Sequence, residues 1–290
     1  MWFLRDLDKE TTFVVGAGKN AGKTTFLNLA ARYLRRKGPV GLASIGVDGE
    51  GRDLVFGTAK PHIPVEQGDV IVTTDTALAA STGVFRVLDI FPMKTVLGRM
   101  VLAQVVRGDF VELVGPDTNS QLALCINALR ASDVRSVLID GAVNRMTQVS
   151  ASFHAGIVDV IRVNPASQTA AEERLRFLSA TSLLPLLPQE HATGNFPQGW
   201  IDIDGALTPS KLKNLSKEAK AVVVPNFASL FLDSRQLAQL PCSLYLRQSF
   251  PVRAIVVNAW DVDEVAFVQR CANLALHSRM WINPYKERIA

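Results

Sequence analysis

A chain of 290 residues, 48% hydrophobic and 20% charged, has the balance of a folded, core-forming protein and the length for one large α/β domain, not the composition of a disordered segment. The formal net charge of +4 is a mild excess, and the densest basic run, Arg32, Arg35, Arg36 and Lys37, closes a predicted helix where cations complement the helix dipole, so nucleic acid is not an expected partner. Three scattered cysteines (Cys125, Cys242, Cys271) and four scattered histidines argue against a disulfide framework or a zinc site and fit a cytoplasmic protein; the charged opening MWFLRDLDKE lacks a secretory h-region, and no run reaches the roughly 18 apolar residues of a membrane helix.

Thr12 to Val15 is a short apolar run that ends at Gly16, and the glycine-rich segment GAGKNAGKTT follows. Behind it, Phe26, Leu27, Leu29, Ala30, Tyr33 and Leu34 form one helical stripe, stopped by Gly38-Pro39. Val40 to Ile45 reads as a second strand running into the polar segment SIGVDGEGRD, and Val70 to Thr73 as a short third. Apolar residues on both sides of Gly108-Asp109, between Arg99 and Val114, predict a β-hairpin insertion turning at that pair. Asp117 to Arg130 reads as a helix, and Val134 to Ile139 as a buried strand closing on Asp140. Gly156 to Val163 is a strand and Gln168 to Leu178 a charged helix. Pro185 to Gly199 is either a hinge or lid, or simply a long connection.

The second half keeps the rhythm: strands at Trp200–Ile203, Ala221–Val224 and Val252–Asn258, helices at Pro209–Leu215, Leu230–Leu240 and Val262–His277. Such alternation predicts an α/β fold with a mostly parallel sheet and helices on both faces. We expect a single domain over residues 1–290, with a nucleotide-binding core at roughly 10–165 and a C-terminal α/β extension at roughly 200–280.

Ala17-Gly18-Lys19-Asn20-Ala21-Gly22-Lys23-Thr24 matches the Walker A pattern with Ala in place of its first Gly. A strand-to-helix turn of this kind aims backbone N–H groups inward, where they cradle a β-phosphate. Gly18 and Gly22 are expected to permit backbone angles and a close approach that a Cβ would block. Lys23 is placed to reach the β and γ oxygens, Thr24 to ligate Mg²⁺, and Thr25 to touch the α-phosphate. Lys19 is either a second cation for developing γ-phosphate charge or a solvated lysine.

A triphosphate site also needs a carboxylate at the end of a neighbouring strand. Val137-Leu138-Ile139-Asp140-Gly141 fits a Walker B strand, with Asp140 the metal carboxylate or, alternatively, a turn cap. In Asp48-Gly49-Glu50-Gly51, Asp48 is a candidate for Mg²⁺ through water and Glu50 for orienting the attacking water; the segment is equally readable as an acidic surface turn. Asp53, Lys60 and Arg145 lie in adjoining motif-like segments. The guanine pattern Asn-Lys-x-Asp is absent, which favours ATP over GTP; Asn258, with Trp260 after it, and Asn164-Pro165 are candidate base contacts or turn residues.

The loop VVGAGKNAGKTTFLN resembles the SIMIBI branch of P-loop NTPases, which includes dethiobiotin synthetase, molybdopterin-guanine dinucleotide accessory proteins and cobalamin-enzyme chaperones. In that branch the loop often carries a second lysine; here Lys19 stands one place after the usual position, which Gly18 occupies. From Val14 to about Asn164, with a weaker tail to Asn258, the segments SIGVDGEGRD, AKPHIPVEQGDVIVTT, VELVGPDTNSQLAL and VLIDGAVNR resemble the ATPase subunit that reactivates adenosylcobalamin-dependent lysine or ornithine aminomutases. The resemblance implies an ATP-driven reactivating chaperone that exchanges damaged cobalamin on a partner enzyme, and points to Lys23, Thr24, Asp48, Glu50 and Asp140. It also implies a homodimer formed across the nucleotide. Any cobalamin belongs to the partner, because this chain has no DxHxxG segment. Two other functions stand beside this one. A ligase or kinase of the dethiobiotin synthetase type would line a substrate pocket with Lys60 and Asn119 to Gln121, whereas a nucleotide-binding scaffold would have negligible catalysis.

Overall fold

The computed structural model describes residues 2–16, 18, 20–45, 63–141, 155–215 and 218–285. A 3-10 turn over Trp2–Leu7 leads into strand β1 (Thr11–Val15), helix α1 (Lys23–Arg35) and β2 (Val40–Ser44). Then come β3 (Ile63–Val65), β4 (Val70–Thr74), α2 (Asp75–Ala80), β5 (Val84–Thr95), β6 (Gly98–Arg107) and β7 (Asp109–Val111). The middle of the chain supplies α3 (Asn119–Ala131), β8 (Ser136–Asp140), β9 (Ala155–Val163) and α4 (Gln168–Ser182). The last third runs β10 (Trp200–Asp202), α5 (Pro209–Lys213), β11 (Ala221–Val224), α6 (Ser234–Ala238), β12 (Ser243–Leu246), β13 (Val252–Ala259), α7 (Glu264–Arg270) and β14 (Met280–Ile282).

Nine strands share one sheet in the order β14-β13-β9-β1-β8-β2-β4-β6-β5. Neighbours are parallel from β14 through β4, and β6 and β5 are antiparallel additions at one edge. The expected mostly parallel sheet with helices on both faces is therefore the observed architecture. Every residue of β1 is buried, which explains its unbroken apolar-and-threonine run: a strand covered on both sides has no solvent face to mark with polar residues. Val14 points to the α1 side, where Phe26, Leu27, Ala30, Ala31 and Leu34 pack over Leu138, Val158 and Val160. Phe13 and Val15 point the other way, into a core shared with Leu122, Cys125, Ile126 and Leu129 of α3. Burying each such side chain contributes roughly 1.5–3 kcal/mol. The N-terminal turn closes the α1 side, with Phe3 stacked on Trp281 of β14 at 4.4 Å between ring centroids.

Three expectations are corrected. The hairpin is β5–β6, turning at residues 96–97, and not a turn at Gly108-Asp109. That pair is a corner between sheets: the Asp109 carboxylate accepts from the Thr82 backbone N–H at 2.9 Å and from the hydroxyls of Thr82 and Ser81, and β7 departs to pair with β3. These donors hold the Asp109 carboxyl below its usual pKa, the Thr82 hydroxyl foremost. The C-terminal extension is also divided. β10, β11 and β12 form a separate parallel sheet, whereas β13 and β14 return to the central one. The helices expected at Leu230–Leu240 and Val262–His277 shorten to α6 and α7, each started by an aspartate, Asp233 or Asp263, whose side chain accepts from a first-turn N–H.

Candidate functional site

The chain passes from β8 to β9 across β1, so the sheet order reverses at β1 and the segments leaving the carboxyl ends of these strands diverge. In open α/β sheets such a switch point is where the ligand crevice forms. The glycine-rich loop leaves β1 at this point. Asn20 and Gly22 adopt left-handed backbone angles, φ 57° and 97°, and Gly22 is the N-cap of α1 without a side-chain cap bond. The first-turn N–H groups of α1 thus remain at the mouth of the loop, the arrangement that attracts an anion. Lys23 begins the helix, and its Nζ reaches back to the Gly18 carbonyl at 3.2 Å, so the ammonium lies over the loop. Thr24 is half-buried and Thr25 exposed on the same turn.

The glycine expectation divides. At Gly22 a Cβ would run into the Asn258 amide and the backbone is left-handed, so glycine is required twice over. At Gly18 a Cβ would meet nothing within 4 Å among the described residues.

Asp140 ends β8 with its Cα in register with Val14 of β1 and with Ser44 of β2. Backbone bonds from Ile45 N–H to the Asp140 carbonyl (2.8 Å) and from Gly141 N–H to the Val14 carbonyl (3.1 Å) tie the three strand ends together. Asp140 therefore ends the strand next to β1, from whose carboxyl end the loop to Lys23 and Thr24 departs. A second carboxylate flanks β1, which the strand reading passed over: Asp159 of β9, opposite Val15 and fully buried. It is bound by the Arg174 guanidinium of α4, with Nε at 3.0 Å, so its charge is already matched within the fold. Among the described residues no cluster of three or more His, Cys, Asp or Glu could hold a metal by itself. Ala17, Lys19, Asp48, Glu50, Asp53, Lys60 and Arg145 lie outside the described residues.

Asn258 has a different place from the one its sequence position suggested. It ends the apolar run of β13, is 7% exposed, and donates its side-chain amide to the backbone carbonyl of Ala21 in the loop. That bond braces the loop from the end of β13. A polar residue closing an apolar run is the available signal, but nothing local says that its partner lies 237 positions away. Removing this donor strands a buried carbonyl, which costs about 1–3 kcal/mol. Asn258→Ala is accordingly expected to lower the melting temperature by about 2–8 °C, read by calorimetry with Asn258→Gln beside it.

Other candidates resolve into structure. Asn164 and Ser167 bond each other's backbone N–H groups at the start of α4, so Asn164 is a turn residue. Gln121 completes a capping box with Thr118 on α3. The segment 185–199 is tied to β12 at its start, by Leu187 N–H to Leu246 carbonyl (2.8 Å) and Leu246 N–H to Pro185 carbonyl (3.0 Å), and most of its residues are exposed. Trp260 stays 60% exposed just beyond Asn258, with the Arg162 guanidinium 6.0 Å from its ring centroid. No helix among the described residues is long and apolar enough to cross a membrane.

No family model, curated protein or solved structure matches the chain.

Proposed function

We propose that this chain is a Mg²⁺-dependent nucleoside triphosphatase of the P-loop kind, in which hydrolysis drives the reactivation or maturation of a partner enzyme. What supports the hydrolytic half is an uncapped helix N-terminus that opens on Lys23 and Thr24 after β1, with Asp140 ending the adjacent strand β8. In this reading the loop N–H groups and Lys23 bind the β and γ phosphate oxygens and stabilise the charge that develops as the terminal phosphoryl group leaves. Thr24 and Asp140 hold the cation, directly or through water. Mg²⁺, when bound, neutralises phosphate charge and orients the oxygens for in-line attack. Glu50, on sequence grounds, orients the water; Asp48 and Lys19 are the further metal and charge-stabilising candidates.

In this reading Asp140, at the end of β8, would serve the γ-phosphate side of the ligand. ATP is favoured by the missing lysine of the guanine pattern. GTP stays in the comparison because Asn258 and Asp261 keep the first and last positions of that pattern, with Ala259 in place of the lysine. Thermal shift with ATP and GTP, each with and without Mg²⁺, separates them: a rise of several degrees that needs both nucleotide and Mg²⁺ is expected for one base. No shift with any triphosphate defeats the proposal.

The partner half rests on the segments that resemble the reactivating ATPase of cobalamin-dependent aminomutases, Lys23, Thr24 and Asp140 among them. It requires slow turnover alone and acceleration by the mutase. Fast phosphoryl transfer to a small acid without any partner would instead favour the dethiobiotin synthetase type of chemistry.

A further inference from the structure

The outer strand of the large sheet is β5, and its first half is unlike an ordinary protected edge. Natural edges carry charge, proline or a covering element, because unpaired N–H and C=O groups invite another strand. Pro92 and Lys94 blunt the second half of β5, where alternate residues are buried. Residues 84–90 are different. Val84, Val87, Leu88 and Ile90 are 42%, 49%, 44% and 53% exposed, and the stretch has no proline. Of the thirteen exposed large hydrophobic side chains among the described residues, six lie on the β5–β6 hairpin, so apolar exposure is concentrated here.

Two charges interrupt this stretch, and they are opposite: Arg86 and Asp89. Three residues apart on a regular strand they would face opposite sides. The strand is not regular there. Arg86 pairs with Gln104, Val87 with Ala103 and Asp89 with Leu102, leaving Leu88 as an extra residue. Gln104 and Leu102 are two apart on β6, so the bulge brings Arg86 and Asp89 onto one face. Among the described residues the Asp89 carboxylate accepts only from its neighbour Ile90 N–H (2.8 Å), and Arg86 has no polar partner.

We propose that a second copy of this chain pairs with β5 antiparallel through residues 84–90, joining two sheets edge to edge. With the twofold axis at the bulge, Arg86 stands opposite Asp89 of the partner subunit and Asp89 opposite the partner subunit's Arg86. The pattern is self-complementary only in this antiparallel sense, which selects a second copy over an unrelated strand. The exposed valine, leucine and isoleucine side chains lie around the axis and lose water on both faces of the joined sheet. β5 is five strand spacings from β1, about 24 Å, so this contact leaves the nucleotide crevice open. It is distinct from dimerisation across the nucleotide and does not depend on the proposed hydrolysis.

Sedimentation velocity on the full chain without nucleotide tests it. The wild type is expected to be dimeric at micromolar concentration. Arg86→Asp and Asp89→Arg each replace two attractive pairs by two repulsive ones and should weaken the dimer at least about tenfold. Mixing the two single variants should restore dimers, because an 86/89 acidic pair then faces a basic pair. The double variant R86D/D89R should also dimerise. Both positions are exposed, so melting temperatures report whether each variant is folded. A monomeric wild type, a dimer indifferent to either single reversal, or folded single variants that fail to recombine would each overturn the proposal.

Discussion

Replacing Lys23 by alanine is expected to lower kcat/KM for triphosphate hydrolysis by about 10²–10³-fold, the cost of removing one preorganised charge donor from a developing oxyanion. The fold should be untouched. Among the described residues the ammonium bonds the Gly18 carbonyl at 3.2 Å, and the α1 residues that carry the packing are Phe26, Leu27, Ala30, Ala31 and Leu34. An unchanged melting temperature with abolished Mg²⁺-nucleotide stabilisation is the expected pair of readings. A lysine that merely solvates the helix start would leave nucleotide affinity and turnover as they were, and that outcome ends the case for this loop as a phosphate site. Lys23→Arg is the useful companion: it keeps the charge but changes the donor geometry, so partial activity would separate charge from shape.

The second large effect is expected at Asp140. Asp140→Asn keeps the shape of the β8 terminus and the backbone bonds that run through Ile45 and Gly141. It removes the charge that would face a cation beside the loop. Turnover is expected to fall by about 10–100-fold, with the midpoint of the Mg²⁺ titration moving to higher concentration by a similar factor. If Asp140 only caps a turn, the Mg²⁺ midpoint will not move, whatever happens to stability. The neighbouring Asp159 is the control. Its pairing with Arg174 makes Asp159→Asn a stability variant, expected to lower the melting temperature without displacing the Mg²⁺ midpoint.

How much of this was legible in the linear chain depends on the range of the contact involved. The order strand, glycine-rich loop, helix was readable from Thr12 to Leu34, because a buried strand needs an unbroken apolar run and α1 needs a 3.6-residue stripe. The hairpin was misplaced because Gly108-Asp109 has turn chemistry, yet that chemistry serves Thr82 and Ser81 on another segment. Its actual turn, Val96-Leu97, has no paired turn residues and is set by the β5–β6 ladder. The helices at 234–238 and 264–270 were overextended because apolar residues continue beyond them, packing into the core from turns rather than helix.

Sequence by itself determined the local elements and the residues that share one turn: Gly22, Lys23, Thr24 and Thr25 stand together because a helix start puts them there. Tertiary structure alone decided the rest of the crevice. Asp140 comes beside the loop because β8 pairs with β1, and Asn258 comes beneath it because β13 lies two strands away on the other side. Parallel pairing of β1 with β8 and β9 joins segments more than a hundred residues apart, through backbone hydrogen bonds that every residue type but proline can make, so no local pattern encodes the partner. The same holds at β5, where only the register against β6 brings Arg86 and Asp89 to one face.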